Sequence, residues 1–441
     1  MRQWLASAPA GAVLVWAAAG LAAGAAPLAG QTPPQEPTVT MAEAVERALQ
    51  VSPTMVQRQG AVQTSHSAER VAWGDFIPSL SFSSGASYSS SNRFNPQTNT
   101  SVTGSSESYN ARLSTSLELF TGGRRRAQLR QTRAQTDAAE AAVVEQRFAV
   151  ALQAKQAFFN VLRNDDLIRV SEERIQRAQD GLEAAILRTN VGSATRSDSL
   201  RAAFELTQAR QQLLTAQTSR RNAAHTLGAL IGYDGPVAAR AEAPLEPRPL
   251  ELADAELLQM VLEQAPGVQT ARANLRSSEA AVSSSRSQWW PSLSMSGGYT
   301  WNNQQFSLNQ GSTSWSTGVS LSYPIFNGFS REDANERANV NLTVSRAQLE
   351  DQQRQVRATL EQVLNDLRLA EQQIALAQEA LLVAQEDLRV LNTRYGLGAA
   401  TILDLITSQV AVTQADIDLI AARFDYQIAR AQLEALIGRE L

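Results

Sequence analysis

Four stretches of this chain alternate apolar with small polar residues, and most of the remainder repeats its apolar residues at helical spacing. Leu80, Phe82, Ala86 and Tyr88 share one side of an extended segment, opposite Ser79, Ser81, Ser83 and Ser87. Tyr109, Ala111, Leu113, Thr115, Leu117 and Leu119 alternate likewise with Asn110, Arg112, Ser114, Ser116 and Glu118. Later, Leu293, Met295, Tyr299 and Trp301 oppose Ser292, Ser294, Ser296 and Thr300. Trp315, Val319, Leu321, Tyr323 and Ile325 oppose Ser314, Ser316, Ser320 and Ser322. Period two predicts strands at about 77–91, 108–120, 291–303 and 313–326. Each runs roughly ten to thirteen residues, long enough to cross a bilayer at a tilt.

Aromatic residues sit at both ends of these segments. Tyr88, Tyr109, Tyr299, Trp301 and Trp315 mark the loop ends; Phe76, Phe120, Trp289, Trp290 and Phe326 mark the others. Two bands a strand length apart match the interfacial girdles of outer-membrane barrels. The alternative is a soluble hairpin with one wet face, because each strand's signal alone is weak. Four strands cannot close a barrel, which takes about eight. The sheet edges must therefore be covered by other copies of the chain. Two copies would supply eight strands and three would supply twelve.

Between the strands lie long helical stretches. Arg124 to about Thr189 has no proline and no glycine except Gly181, and Arg331 to about Tyr395 has neither. At 1.5 Å per residue, about 66 residues make roughly 100 Å of helix. In the second stretch Leu360, Leu367, Ile374, Leu381, Leu388 and Tyr395 recur every seven residues, with Val363, Ala370, Ala377, Ala384 and Leu391 between them. This is a coiled-coil seam. A second stripe, Leu369, Leu376, Val383, Val390 and Leu397, implies a neighbour on another side, as in a closed ring of helices. The first stretch keeps the main seam in Val161, Ile168, Ile175 and Leu182, but its second stripe is weak. Shorter helices are predicted at about 41–73, 197–231, 253–288 and 404–437. Stacked end to end, each pair of them is long enough to line one long helix.

The mature chain is a duplication. Pro78-Ser79-Leu80-Ser81 recurs as Pro291-Ser292-Leu293-Ser294, and Pro53 recurs as Pro266, at an offset of 213. Phe120, Gly122, Arg188, Gly192, Asp198 and Leu230-Ile231-Gly232 recur at an offset of 206, as Phe326, Gly328, Arg394, Gly398, Asp404 and Leu436-Ile437-Gly438. The first copy is thus seven residues longer between Pro78 and Phe120, which places a loop tip there. The repeats span 31–232 and 253–441, joined by a proline-rich linker at 233–252.

Residues 1–30 combine Arg2, an apolar run from Gly11 to about Ala26, and small residues Ala29 and Gly30, the pattern of a secretory signal peptide. The following Gln31–Thr38 reads as a loose lead-in. No later apolar run approaches ~20 residues, so a membrane helix is not expected, but a barrel remains open. The 441 residues carry 39 basic and 43 acidic groups, a net charge of −4. That mild balance argues against a nucleic-acid partner. There is no cysteine, which excludes disulfides, thiolate sites and lipid attached through cysteine. His66 and His225 lack metal-ligand spacing, and no catalytic constellation or phosphate loop is evident. No enzymatic activity, metal or cofactor is expected.

Several features converge on one resemblance. They are the duplicated helix–hairpin–long helix–turn–helix unit, the Pro-Ser-Leu-Ser entries, the Phe-Thr-Gly-Gly and Phe-Asn-Gly-Phe exits, and the run Arg394-Tyr395-Gly396-Leu397-Gly398-Ala399-Ala400-Thr401-Ile402-Leu403-Asp404-Leu405. The first copy answers with Asn190-Val191-Gly192-Ser193-Ala194-Thr195-Arg196-Ser197-Asp198. The chain resembles the TolC-like outer membrane efflux proteins. The resemblance implies a mainly α fold with a membrane β-barrel. Three protomers would build a twelve-stranded barrel in outer-membrane lipid, continued by an α-helical barrel through the periplasm. It implies no enzymatic activity, a periplasmic adaptor docked at the helix tips, and an inner-membrane transporter that supplies the energy.

By the same resemblance, Asn190, Val191, Gly192, Gly396, Leu397 and Gly398 are the adaptor-contact turns. Asp404 would narrow the pore as an acidic ring, with Thr407 where some members carry a second acid. Tyr395 would hydrogen-bond Asp198 and help hold the tip shut. Ala400 replaces an arginine that locks the tip in some members. Asp198 and Asp404 also follow glycine-containing turns, so capping is an equally open reading of both. The chain stops three residues after Gly438, so the tail of longer members is expected to be missing. Rival readings are the outer component of type I protein secretion and a structural coiled-coil rod of the envelope.

Overall fold

The structure, a computed structural model, describes residues 36–439 apart from 98, 242–252, 308 and 309. The predicted signal peptide and the proline-rich half of the predicted linker lie outside the described residues. In chain order the elements are β1 (Thr38–Val39), α1 (Met41–Val51), α2 (Pro53–Gly74), β2 (Ser79–Asn95), β3 (Thr100–Phe120), α3 (Arg124–Asn190) and α4 (Arg196–Leu230). The second repeat follows as β4 (Ala238–Ala239), α5 (Asp254–Gln264), α6 (Pro266–Arg286), a single 3-10 turn at Ser287–Trp289, β5 (Ser292–Asn303), β6 (Ser312–Ser322), α7 (Ser330–Gly396) and α8 (Ile402–Ile437). The two long helices, α3 and α7, have 67 residues each.

The predicted helices at 41–73 and 253–288 are each two helices. Pro53 and Pro266 occupy the first turn of α2 and α6. A proline ring removes the N–H and bars the preceding residue from helical geometry. Ser52 and Ala265 accordingly take ψ of 118° and 129°. The lead-in and the start of the linker are also more ordered than predicted. Thr38 and Val39 pair in parallel with Ala238 and Ala239, and burial of Val39 and Val237 holds them there.

The four membrane-type strands form one antiparallel sheet in the order β2-β3-β5-β6. Its register brings the alternating residues into line. Phe82 pairs with Leu113, Leu113 with Tyr299, and Tyr299 with Trp315. Leu117 pairs with Met295, and Met295 with Val319. One face is therefore apolar across all four strands. On the other face Ser79–Ser116, Ser81–Ser114 and Ser87–Ser108 join hydroxyls at 2.8 Å. Within the protomer β2 and β6 are edges, and Leu80, Phe82, Trp315, Val319 and Leu321 are exposed.

Two strand boundaries differ from prediction. β2 and β3 continue as a two-stranded ribbon beyond 91 and before 108, pairing from Ser89–Ser106 to Asn95–Thr100. This ribbon is nearly all Ser, Thr, Asn and Gly, so it carries no alternation to read. It outruns β5, whose last partner on β3 is Tyr109, and it holds the extra length of the first copy. β6 stops at Ser322 rather than 326, shortly before Pro324, which cannot donate to a ladder.

Each long helix is lined by shorter ones. Against α3, Thr54 of α2 accepts from Gln146, Glu69 of α2 from Arg133, and Glu205 of α4 from Arg174. Against α7, Ser278 of α6 meets Ser345, and Ser408 of α8 donates to Asp387. The repeats meet where Phe158, Phe159 and Val161 of α3 share a core with Ala44, Ala48, Leu227, Ile420 and Phe424. Leu360, Leu367, Ile374 and Tyr395 of the main α7 seam are buried. The second stripe, Leu369, Leu376, Val383, Val390 and Leu397, is 40–81% exposed in the protomer.

Candidate functional site

The far ends of α3 and α7 reverse direction through two matched turns. After α3, Gly192 (φ 75°) donates to the Thr189 oxygen, and Ser193 to that of Arg188. After α7, Gly398 (φ 78°) donates to the Tyr395 oxygen, and Ala399 to that of Arg394. These are paired Schellman closures, and they need a residue free to adopt positive φ. Asn190 and Gly396 are the last helical residues rather than turn residues, and Val191 and Leu397 project outward, 78% and 81% exposed.

The next helices start on capping boxes. The Thr195 and Thr401 amides donate to Oδ2 of Asp198 and Asp404 at 2.9 Å. The Asp198 and Asp404 amides donate back to the threonine hydroxyl oxygens at 3.3 and 3.2 Å. Each box satisfies two helix-start donors. The threonine hydrogen bonds hold both carboxyls below the usual carboxylate range. The Thr-x-x-Asp spacing carried this signal, although Thr195 and Thr401 were not singled out. Asp404 and Thr407 lie one turn apart on an exposed face of α8.

The expected Tyr395–Asp198 hydrogen bond is not made within the protomer. The Tyr395 hydroxyl is buried without a hydrogen-bond partner. Asp198 is turned back onto Thr195, and the Tyr395 ring packs among Ala185, Ala202, Ile402 and Leu405. Burial pushes the Tyr395 phenol up; Arg188 opposes that shift and Asp198 adds to it. Arg188, which sequence reasoning matched to its twin but gave no role, lies over this ring.

At the other end of the helices the predicted aromatics gather arginines. Arg331 lies 4.5 Å from the Trp289 ring centre and Arg125 5.0 Å from that of Phe76. Trp73 and Phe329, not predicted, join through contacts with Phe76 and Phe326 at 5.9 and 5.5 Å. Trp290, Phe120 and Phe326 are exposed beside them. Gly122 (φ 60°) presses so close that a Cβ there would lie 2.6 Å from the Ser287 oxygen and from Trp290 Cβ. At the loop ends Tyr88, Tyr299 and Trp315 are exposed, Trp301 is half-buried, and Tyr109 packs on Phe306 at 5.3 Å. Among the described residues no helix is long and apolar enough to cross a membrane, and no group of three or more acidic or histidine residues could hold a metal.

A single-faced apolar sheet above duplicated 67-residue helices agrees with what the sequence matches. Residues 44–233 and 257–439 fit the family model described as outer membrane efflux protein. The chain belongs to the outer membrane efflux protein family. It is an outer-membrane channel of efflux systems and extends into the periplasm. It is 31% identical over 175 residues to the cobalt-zinc-cadmium resistance protein CzcC of Cupriavidus metallidurans, covering 40% of this chain and 42% of that one. It is 26% identical over 407 residues to protein CyaE of Bordetella pertussis, covering 90% and 81%. The crystal structure of the outer membrane protein VceC of Vibrio cholerae shares the fold with a TM-score of 0.78 at 18% identity, covering 91% and 96%.

Proposed function

We propose that three copies of this chain close a twelve-stranded barrel in the outer membrane and a helical tube below it, through which solutes pass passively to the exterior. The observation that carries this reading is the unfinished surface of the protomer. Its sheet has two open edges, β2 and β6, and α7 bears the exposed stripe from Leu369 to Leu397. Open edges and apolar stripes of this size are covered in native proteins. Lipid takes the apolar sheet face, and the aromatic bands mark its two interfaces.

In this reading the paired turns at Gly192 and Gly398 dock a periplasmic adaptor, which links the tube to an inner-membrane transporter. The channel does no chemistry of its own; the transporter supplies the energy. The tip is the gate. Asp404 falls on an exposed position of α8, which supports a lumen that prefers cations. The likeness to CzcC, named for cobalt, zinc and cadmium resistance, supports small cations as cargo. Reconstitution in planar bilayers tests this. Small, discrete, cation-preferring steps are expected. Inserted protein that never conducts, or that prefers anions, would overturn the reading.

A further inference from the structure

Beside the apolar packing of Tyr395 on Ala185 and Ala202, one polar side chain bridges the tips of the two repeats. Arg188, in the last turn of α3, lays its guanidinium 4.6 Å from the centre of the Tyr395 ring in the last turn of α7. The same group donates from Nη1 to the Tyr395 main-chain oxygen. That oxygen also accepts from the Gly398 amide at 3.0 Å. It lies at the negative end of a 67-residue helix, where a cation is favoured. A planar guanidinium makes the stacking contact and the carbonyl bond together; an ammonium cannot reproduce both.

The duplication supplies an internal control. Arg394 occupies the matching place in the second repeat, yet it donates to Ala399 in its own turn at 3.3 Å. The difference follows from the neighbouring position. Tyr395 of the second repeat corresponds to Thr189 of the first, so Arg394 has no equivalent ring to stack on. Thr189 instead turns its hydroxyl to Ala185 and Thr195. Arg188 also crowds the second turn, with Nη2 3.3 Å from where a Cβ on Gly398 would stand.

We propose that Arg188 is the latch between the two repeat tips of a protomer, and that releasing it opens the periplasmic end. The latch stands in for the Tyr395–Asp198 bond that this chain does not make. Its role rests on the reading of the tip as gate. Arg188 positions Tyr395 and α7 and touches no cargo. Any partner that draws the α3 turn away from the α7 turn must break this contact.

Because the chain lacks cysteine, two introduced cysteines report the latch directly. Ser193→Cys and Ala399→Cys sit on exposed turns. Spin labels there, diluted with unlabelled protomers, give the distance between tips, and bilayer recording gives the resting conductance. Arg188→Gln is expected to widen and lengthen the distance distribution and raise resting conductance about tenfold, the equivalent of ~1.4 kcal/mol. Arg188→Lys should recover only part of the effect. Tyr395→Leu should match Arg188→Gln, whereas Tyr395→Phe should behave as wild type, because the hydroxyl makes no bond. An unchanged distance in Arg188→Gln would overturn the latch. A widened distance with unchanged conductance would overturn the tip as gate, on which the latch's function depends.

Discussion

Lys155, the only lysine in the chain, donates from Nζ to Glu434 Oε2 at 2.5 Å and so ties α3 of the first repeat to α8 of the second. The side chains are 18% and 11% exposed, and Arg430 lies 3.8 Å from the same carboxylate. Breaking such a pair strands a partly buried charge. Lys155→Met should cost about 2 kcal/mol, less than the ~3–5 kcal/mol of a fully buried pair, because the pair is only partly buried and Arg430 remains. Adding Glu434→Leu should recover most of that loss. Unfolding of the four members of this cycle in detergent checks it, and strictly additive losses would count against a coupled pair.

The α3–α8 interface carries a pH dependence of opposite sign to the usual carboxylate. Burial raises the Asp416 pKa and Glu173 adds to it, against Arg177 and Arg169. Asp166 is raised for the same first reason. A folded pKa above the unfolded value means that the native state holds the proton more tightly. Stability from these groups is therefore largest in acid and declines as pH rises through the folded pKa. Asp416→Asn should raise stability at neutral pH by a fraction of a kcal/mol after solvent screening, and should flatten the pH profile. An unchanged slope across about pH 4 to 8 would contradict the assignment.

The capping boxes behave the other way. Both Asp198 and Asp404 have lowered pKa values, so their contribution is present above the unfolded carboxylate range and is lost as pH falls through the folded value. Thr195→Val should cost about 1 kcal/mol and fray the first turn of α4. Hydrogen exchange at Ser197 to Leu200 reads this directly; unaltered protection would mean that the cap is dispensable.

Gly122→Ala tests the joint between sheet and helices. The added Cβ meets the Ser287 oxygen and Trp290 in a left-handed conformation, whereas Gly123, also at positive φ, faces open space. Gly122→Ala should lose more than about 2 kcal/mol and assemble poorly, and Gly123→Ala should lose about 1. Equal losses at the two positions would show that backbone strain, not the close approach, sets the cost.

Asp404→Asn should weaken cation selectivity, seen as a reversal potential moving toward zero in a salt gradient. Unchanged selectivity would remove Asp404 from the pore lining.

Much of this fold was legible because its signals are periodic. The heptads from Leu360 to Tyr395 and the alternation from Leu80 to Tyr88 each state which face is apolar. Repetition at fixed offsets then ties the two halves together. The breaks at Ser52 and Ala265 are visible as Pro53 and Pro266, which fall inside the single helices expected at 41–73 and 253–288. The ribbon from Ser89 to Asn95 was missed because its run of Ser and Asn leaves no apolar alternation to detect. At the tip, the glycine turns and Asp198 and Asp404 could be located from spacing. The partner of Tyr395 could not, because Arg188 lies 207 residues away and reaches it only through tertiary packing.

The central claim is that the open sheet edges and the exposed α7 stripe are completed by two further copies of the chain. Imaging of the mature protein in detergent, with its mass measured alongside, tests this most directly. Threefold particles are predicted, with a detergent belt at one end and a hollow tube about 100 Å long, the length set by the rise of α3 and α7. A monomer, or a solid rod without a lumen, would contradict the shared barrel and the transport function built on it.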